Sequence, residues 1–145
     1  MSRVVFVARL IVGGVLLAAG ALKIGHFDWL ATQIAGYRIL PPVLIAPLAI
    51  ALPFIEILIG AYLLVGLYTR VIAWLALAEF VLFAGAIASV VIRGIPANCG
   101  CFGPGDVRPA SWTEVGRDLV LAAIAAFIAW RAPGSPALDQ RLKQA

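Results

Sequence analysis

The chain has 145 residues, 63% hydrophobic and 12% charged, with 11 Lys and Arg against 7 Asp and Glu. Soluble domains are near half apolar and a quarter charged, so a mean hydropathy of +1.05 excludes an ordinary water-soluble globule. The length accommodates about four spans of ~20 residues, and excludes a transporter built from two repeats of several helices each.

The net charge of +4 comes without any basic run interleaved with aromatics. Nucleic acid is therefore excluded as a partner, and the basic residues suit loops that meet anionic lipid headgroups.

The first apolar run, 4–22, contains Arg9. Arg3 and the Ala19-Gly20-Ala21 stretch also resemble a secretory signal and its cleavage site. A charge inside the apolar run, and the further spans after it, favour a retained helix. A break follows with His26, Asp28, Tyr37 and Arg38, closed by Pro41-Pro42, which suits a helix starting immediately afterwards. The second span covers 44–67, interrupted by Pro47 and Pro53. Tyr68-Thr69-Arg70 is so short a turn that the third span, 71–92, must run antiparallel to the second.

The longest polar connection is 93–110, rich in Gly and Pro. Ser111 and Glu114 after it have the spacing of a capping box. This predicts a fourth span over 112–130, stopped by Pro133-Gly134-Ser135-Pro136, with a mobile tail over 132–145. The expected architecture is an all-α polytopic membrane protein: one four-helix transmembrane bundle over 1–131, with both ends on one side. Lys and Arg divide almost evenly between the two sides, with a slight excess alongside the N-terminus. That excess places the third connection outside the cytoplasm.

Both cysteines lie in this connection, as Cys99-Gly100-Cys101-Phe102-Gly103. Cysteines one residue apart close a small strained ring, and Gly100 gives the backbone freedom to form it. A strained disulfide is easily reduced, and so short a loop gives little structural stabilisation. A metal site is the first alternative, but zinc usually takes three or four protein ligands and His26 is the only histidine. Two unpaired neighbouring thiols are the second. A redox-active dithiol fits best, placed after one span and before a helix whose N-terminal dipole favours a thiolate. Phe102 and Trp112 are read as interfacial aromatics seating the loop.

Arg9, Glu56 and Glu79 each lie inside an apolar span. Such groups normally face the bundle interior and pair. Counted by helical rise from one membrane side, all three lie ~18–20 Å deep, which predicts an Arg9–Glu56 or Arg9–Glu79 pair. Gly13 and Gly20 share the face of Arg9, with Lys23 near it, and Gly60 follows Glu56 by one turn. Small residues there allow close helix approach. A pair that fixes helix register and a carboxylate that moves a proton during a redox step are both open readings.

Taken in order, Arg9, Gly13, Gly20 and Lys23, then Tyr37-Arg38-Ile39-Leu40-Pro41, then Pro53-Phe54-Ile55-Glu56 and Gly60 form one series. Arg93-Gly94, Cys99-Gly100-Cys101-Phe102-Gly103 and Arg117-Asp118 complete it. The series resembles the MauE branch of the DoxX-like membrane proteins. The resemblance implies a redox-associated bacterial membrane protein tied to maturation of methylamine dehydrogenase, beside a thioredoxin-like partner.

The expected function is a thiol–disulfide relay in the bacterial inner membrane. Cys99 and Cys101 exchange electrons with an extracytoplasmic thioredoxin-like chain, and quinone is the candidate membrane acceptor. The rivals are a non-catalytic scaffold for a partner oxidoreductase, and a small-molecule carrier with a polar cavity at the Arg9–Glu56 level.

Overall fold

The computed structural model describes residues 2–132 and 137–144, and among them the secondary structure is helical. In chain order the helices are α1 (Ser2–Lys23), α2 (Phe27–Gly36), α3 (Pro42–Val65), α4 (Thr69–Ile92), α5 (Trp112–Arg131) and α6 (Leu138–Gln144). Each of the four long helices starts and stops within two residues of its expected bounds. The Pro133–Pro136 stop lies outside the described residues.

α3 begins where the proline pair requires, with Pro41 extended at its N-cap and Pro42 in its first turn. It runs through Pro47 and Pro53. It ends on Gly66, whose φ of 74° lets the amides of both Gly66 and Leu67 donate to the Tyr62 carbonyl.

α1 packs along α3 and α4 along α5, with α5 also touching α1 and α3 touching α4. The α1–α3 contact is glycine-mediated. A Cβ on Gly13 would lie 2.9 Å from the Gly60 carbonyl oxygen, and one on Gly20 would lie 2.6 Å from that of Pro53. Between α4 and α5 the small side chains Ala73, Ala76, Ala122, Ala125 and Ala129 are all buried, giving the same close approach. Large apolar side chains point outward instead: Val7 and Leu10 on α1, Phe54 and Leu58 on α3, Trp74 and Leu82 on α4. A bundle whose helices meet through small residues and that also turns large apolar ones outward is built for lipid.

Helices α1, α3 and α4 are long and apolar enough to cross a membrane, and the protein is a multi-pass membrane protein. α5, expected as the fourth span, does not meet that standard, because Glu114, Arg117 and Asp118 crowd its first two turns. Beyond them its outward face is apolar, with Leu119 and Val120 exposed.

Two elements fall outside the expected architecture. α2 lies in the first connection, and its Phe27 ring stacks with Phe54 of α3, centroids 6.2 Å apart. Helix α6 lies within the segment expected to be a mobile tail. Asp139 on it accepts the Tyr68 and Thr69 amides, both at 2.8 Å, capping the first turn of α4.

The expected Arg9–Glu56 or Arg9–Glu79 pair is not formed. Arg9 donates to the carbonyls of Leu63, at 2.9 Å, and Leu64, at 3.2 Å. These belong to the last turn of α3, whose carbonyls lack helical donors, so the guanidinium caps that end. Glu56 pairs with Lys23 instead, Nζ to Oε1 at 2.6 Å, both fully buried. The reason is register. The depth count set the end of α1 level with the start of α3, whereas the Gly13–Gly60 and Gly20–Pro53 contacts fix a different alignment. α3 begins about eight residues, roughly 12 Å, beyond the level where α1 ends, so Lys23 meets Glu56 and Arg9 meets Leu64. α2 packs on the overhanging part of α3.

Candidate redox site at the cysteine loop

The connection between α4 and α5 is a braced loop. Asn98 and Pro109 form an antiparallel bridge, the Cys99 amide donates to the Arg108 carbonyl at 2.9 Å, and the Ala110 amide donates to that of Ala97 at 2.9 Å. Within it Cys99 and Cys101 form a disulfide, Cα atoms 5.4 Å apart, which uses both cysteines of the chain. Gly100 (φ 65°) and Gly103 (φ 80°) take the left-handed conformation that the tight path demands. Gly103 also needs its missing side chain, because a Cβ would lie 2.7 Å from the Leu22 carbonyl oxygen at the end of α1. The loop is thereby pressed onto the bundle.

The two sulfurs differ in environment. Cys99 is 7% exposed, packed with Ala84, Ile87 and Val115 in a small core below the loop, whereas Cys101 is only half-buried. Arg117, one and a half turns into α5, directs Nη2 to Cys101 Sγ at 3.1 Å and to Cys99 Sγ at 3.7 Å. The guanidinium also bonds Asp118 Oδ1 and Glu114 Oε2, and it lies 5.3 Å from the Phe102 ring centroid. Phe102, expected as an interfacial anchor, therefore also stacks on the cation beside the sulfurs.

The Ser111–Glu114 capping box predicted the start of α5 correctly but not its chemistry. Ser111 makes no side-chain cap bond, and the Glu114 carboxylate is drawn to Arg117 and Arg108. Arg108 in turn donates to Asp106 at 2.8 Å, and that bond holds the Asp106 carboxyl below the usual carboxylate range.

Tyr37, at the end of α2, donates its hydroxyl to the Asn98 and Cys99 carbonyls, each at 3.0 Å. Burial, with the negative charge of Asp118 added, pushes the phenol up to about 12, so it stays a donor at neutral pH. Arg93, at the end of α4, donates to the carbonyls of Tyr37 and Arg38. Motifs far apart in sequence thus meet: Tyr37-Arg38 with Arg93, and Arg117 with the cysteine pair. Arg117 is not among the site residues expected from sequence, where Arg117-Asp118 only completes the series that resembles the family. The cue was a cation early in the helix that directly follows the cysteine loop.

The remaining expected site residues lie deeper. Lys23, Glu56 and Glu79 are buried between the helices, with Lys23 Nζ also 5.7 Å from the Phe83 ring centroid. Glu79 makes no hydrogen bond among the described residues, and neither do Glu56 Oε2 and Asp118 Oδ2. Arg9 belongs to the opposite end of the bundle, with the α3–α4 turn.

Among the described residues no three metal-ligating side chains cluster. An open groove of about 400 Å³ lies on the outer side of the loop, lined by Thr32, Gln33, Pro96, Asn98 and Pro109 among others and by no charged side chain.

The family profile described as "Methylamine utilisation protein MauE" matches residues 1–131. The methylamine utilization protein MauE of Paracoccus denitrificans is 32% identical over 133 residues, covering 91% of this chain and 72% of that protein. That of Methylorubrum extorquens is 38% identical over 124 residues, covering 84% and 67%. That of Methylophilus methylotrophus is 39% identical over 119 residues, covering 81% and 60%, so this chain spans only part of each relative's length. No solved structure matches the chain. A helical membrane bundle with a braced Cys-Gly-Cys loop, matched over 1–131, belongs to the MauE family.

Proposed function

We propose that this protein is a membrane thiol–disulfide relay serving methylamine utilisation, the process named for its relatives. Cys99 and Cys101 exchange a disulfide with a thioredoxin-like partner during maturation of a periplasmic enzyme such as methylamine dehydrogenase. The observation that carries this reading is the disulfide itself: closed between near neighbours, held on a braced loop at the bundle end, with a guanidinium against both sulfurs. Positive charge beside sulfur favours the thiolate, which is the reactive species in exchange.

The cysteine loop is placed outside the cytoplasm. Arg3, Arg9, Arg70, Arg131, Arg141 and Lys143 belong to the other end, a slight excess over Lys23, Arg38, Arg93, Arg108 and Arg117 at the cysteine end, and Asp139 is the acidic residue beside them, which suits a surface facing anionic lipid. The test is replacement of either cysteine by serine in the full chain, with the inserted protein assayed for exchange with thioredoxin. Loss of exchange with insertion intact is the expected result. Retained exchange in both single variants overturns the relay and favours the scaffold.

A further inference from the structure

A relay through two cysteines needs one sulfur to meet the partner and the other to resolve. The sequence does not distinguish them, but their surroundings do. Cys99 Sγ belongs to the packed cluster of Ala84, Ile87 and Val115, and its carbonyl and amide are both held, by Tyr37 and Arg108. Cys101 packs against the edge of the same cluster but is only half-buried, next to the Phe102 and Arg117 stack. We propose that Cys101 is the sulfur that bonds to the partner, that Cys99 resolves, and that Arg117 holds the negative charge on whichever of the two is released. The assignment rests on the relay read above.

The exchange balances in both directions. A thiolate of the partner attacks Cys101 Sγ, the Cys99–Cys101 bond breaks, and Cys99 leaves as a thiolate facing Arg117. The partner's second thiol, deprotonated, then attacks its own mixed-disulfide sulfur and releases Cys101 as a thiolate. The partner has lost two electrons and this protein has gained them. In reverse, the Cys101 thiolate attacks a partner disulfide, one partner sulfur leaves, and the Cys99 thiolate displaces the other. Because Nη2 lies 3.1 Å from one sulfur and 3.7 Å from the other, one cation serves both stages without moving far.

The groups around the sulfurs fit this role. From α5, Glu114 and Asp118 hold the guanidinium in place through its other donors, leaving one edge of Nη2 for sulfur. From the loop, Asp106 is engaged by Arg108. From the end of α2, Tyr37 directs its proton to backbone carbonyls. Among the described residues Arg117 is the charged side chain that reaches the sulfurs.

The experiment uses the full chain in detergent, as C99S and C101S variants, with iodoacetamide as the alkylating probe across a pH series. Cys101 in C99S is expected to alkylate with a midpoint below the usual thiol value of about 8.5. It should react faster at pH 7 than Cys99 in C101S. Adding Arg117→Gln to C99S should raise the midpoint by about one unit, slowing alkylation at pH 7 by about tenfold. Arg117→Lys should keep most of the rate, which also guards against a folding defect in the glutamine variant.

Glutathione disulfide supplies the second readout, with a mixed disulfide expected to persist on Cys101 in C99S. Faster alkylation of Cys99, or an unchanged midpoint in a folded Arg117→Gln protein, overturns the assignment. Thioredoxin exchange in the cysteine variants is scored separately. If it is lost in both while Cys99 proves the faster, the relay stands with the roles reversed.

Discussion

Arg117 and Tyr37 act on the same short loop by different means. One places charge against sulfur, and the other fixes the backbone carbonyls that flank it. Replacing Tyr37 by Phe removes the hydroxyl donor and leaves two loop carbonyls with one partner fewer. The expected loss is about 1 kcal/mol of local stability. Faster hydrogen exchange of the Cys99 and Ala110 amides, with little change in global unfolding, checks it. Neither residue stands out by type alone, since Tyr37 lies in what reads as a loop and Arg117 in the first turns of what reads as a span. The cysteine pair and its glycines were legible because their spacing is itself a geometric constraint. Their cation was not, because 16 residues separate Cys101 from Arg117 and only the loop's fold brings them together.

At the scale of elements, the long helices were legible because apolar runs bounded by prolines, glycines and short polar turns leave little choice. Their relative register was not. Arg9, Glu56 and Glu79 were recognised as inward-facing, but a depth count treats every helix end as level. The glycine contacts shift α3 relative to α1 and exchange the partners. α2 was missed although Phe27, Leu30 and Ile34 stand at helical spacing, because ten residues in a polar connection give a weak pattern.

The Lys23–Glu56 pair, sealed at 2% and 1% side-chain exposure, gives a sharp prediction. Lys23→Met leaves a buried carboxylate and should destabilise the bundle by roughly 3–5 kcal/mol. The double variant Lys23→Met with Glu56→Leu should recover most of that loss. Unfolding in mixed micelles measures both. At the glycine contact, Gly60→Val should fail to pack, since a Cβ would lie 2.7 Å from the Gly13 carbonyl oxygen and from the Leu17 amide nitrogen. A shift in the unfolding midpoint and loss of the compact detergent-solubilised species would show it.

At the scale of the whole molecule, the two ends of the bundle are built differently. At one end α6 closes the α3–α4 turn: Asp139 caps α4, its own amide donates to the Gly66 carbonyl, and Arg9 caps α3. Burial alone would raise the Asp139 carboxyl. The Thr69 and Tyr68 amides and the Arg9 charge outweigh it and hold the group below its ordinary value of 3.8. Its contribution is therefore complete above the unfolded value and disappears as pH falls through the lower, folded one. Asp139→Ala should cost about 1 kcal/mol at neutral pH, as loss of a cap does, and nothing further in strong acid. Thermal unfolding of the two proteins across pH 2–7 tests that window. The other end carries the Cys99–Cys101 disulfide, and the proposed relay requires it to face away from the cytoplasm.

The most direct test labels intact spheroplasts with a membrane-impermeant maleimide, with and without prior reduction. The account predicts labelling of Cys99 and Cys101 only after reduction, which marks an outward-facing disulfide that opens to a reductant. Labelling only after lysis would place the loop in the cytoplasm and contradict it.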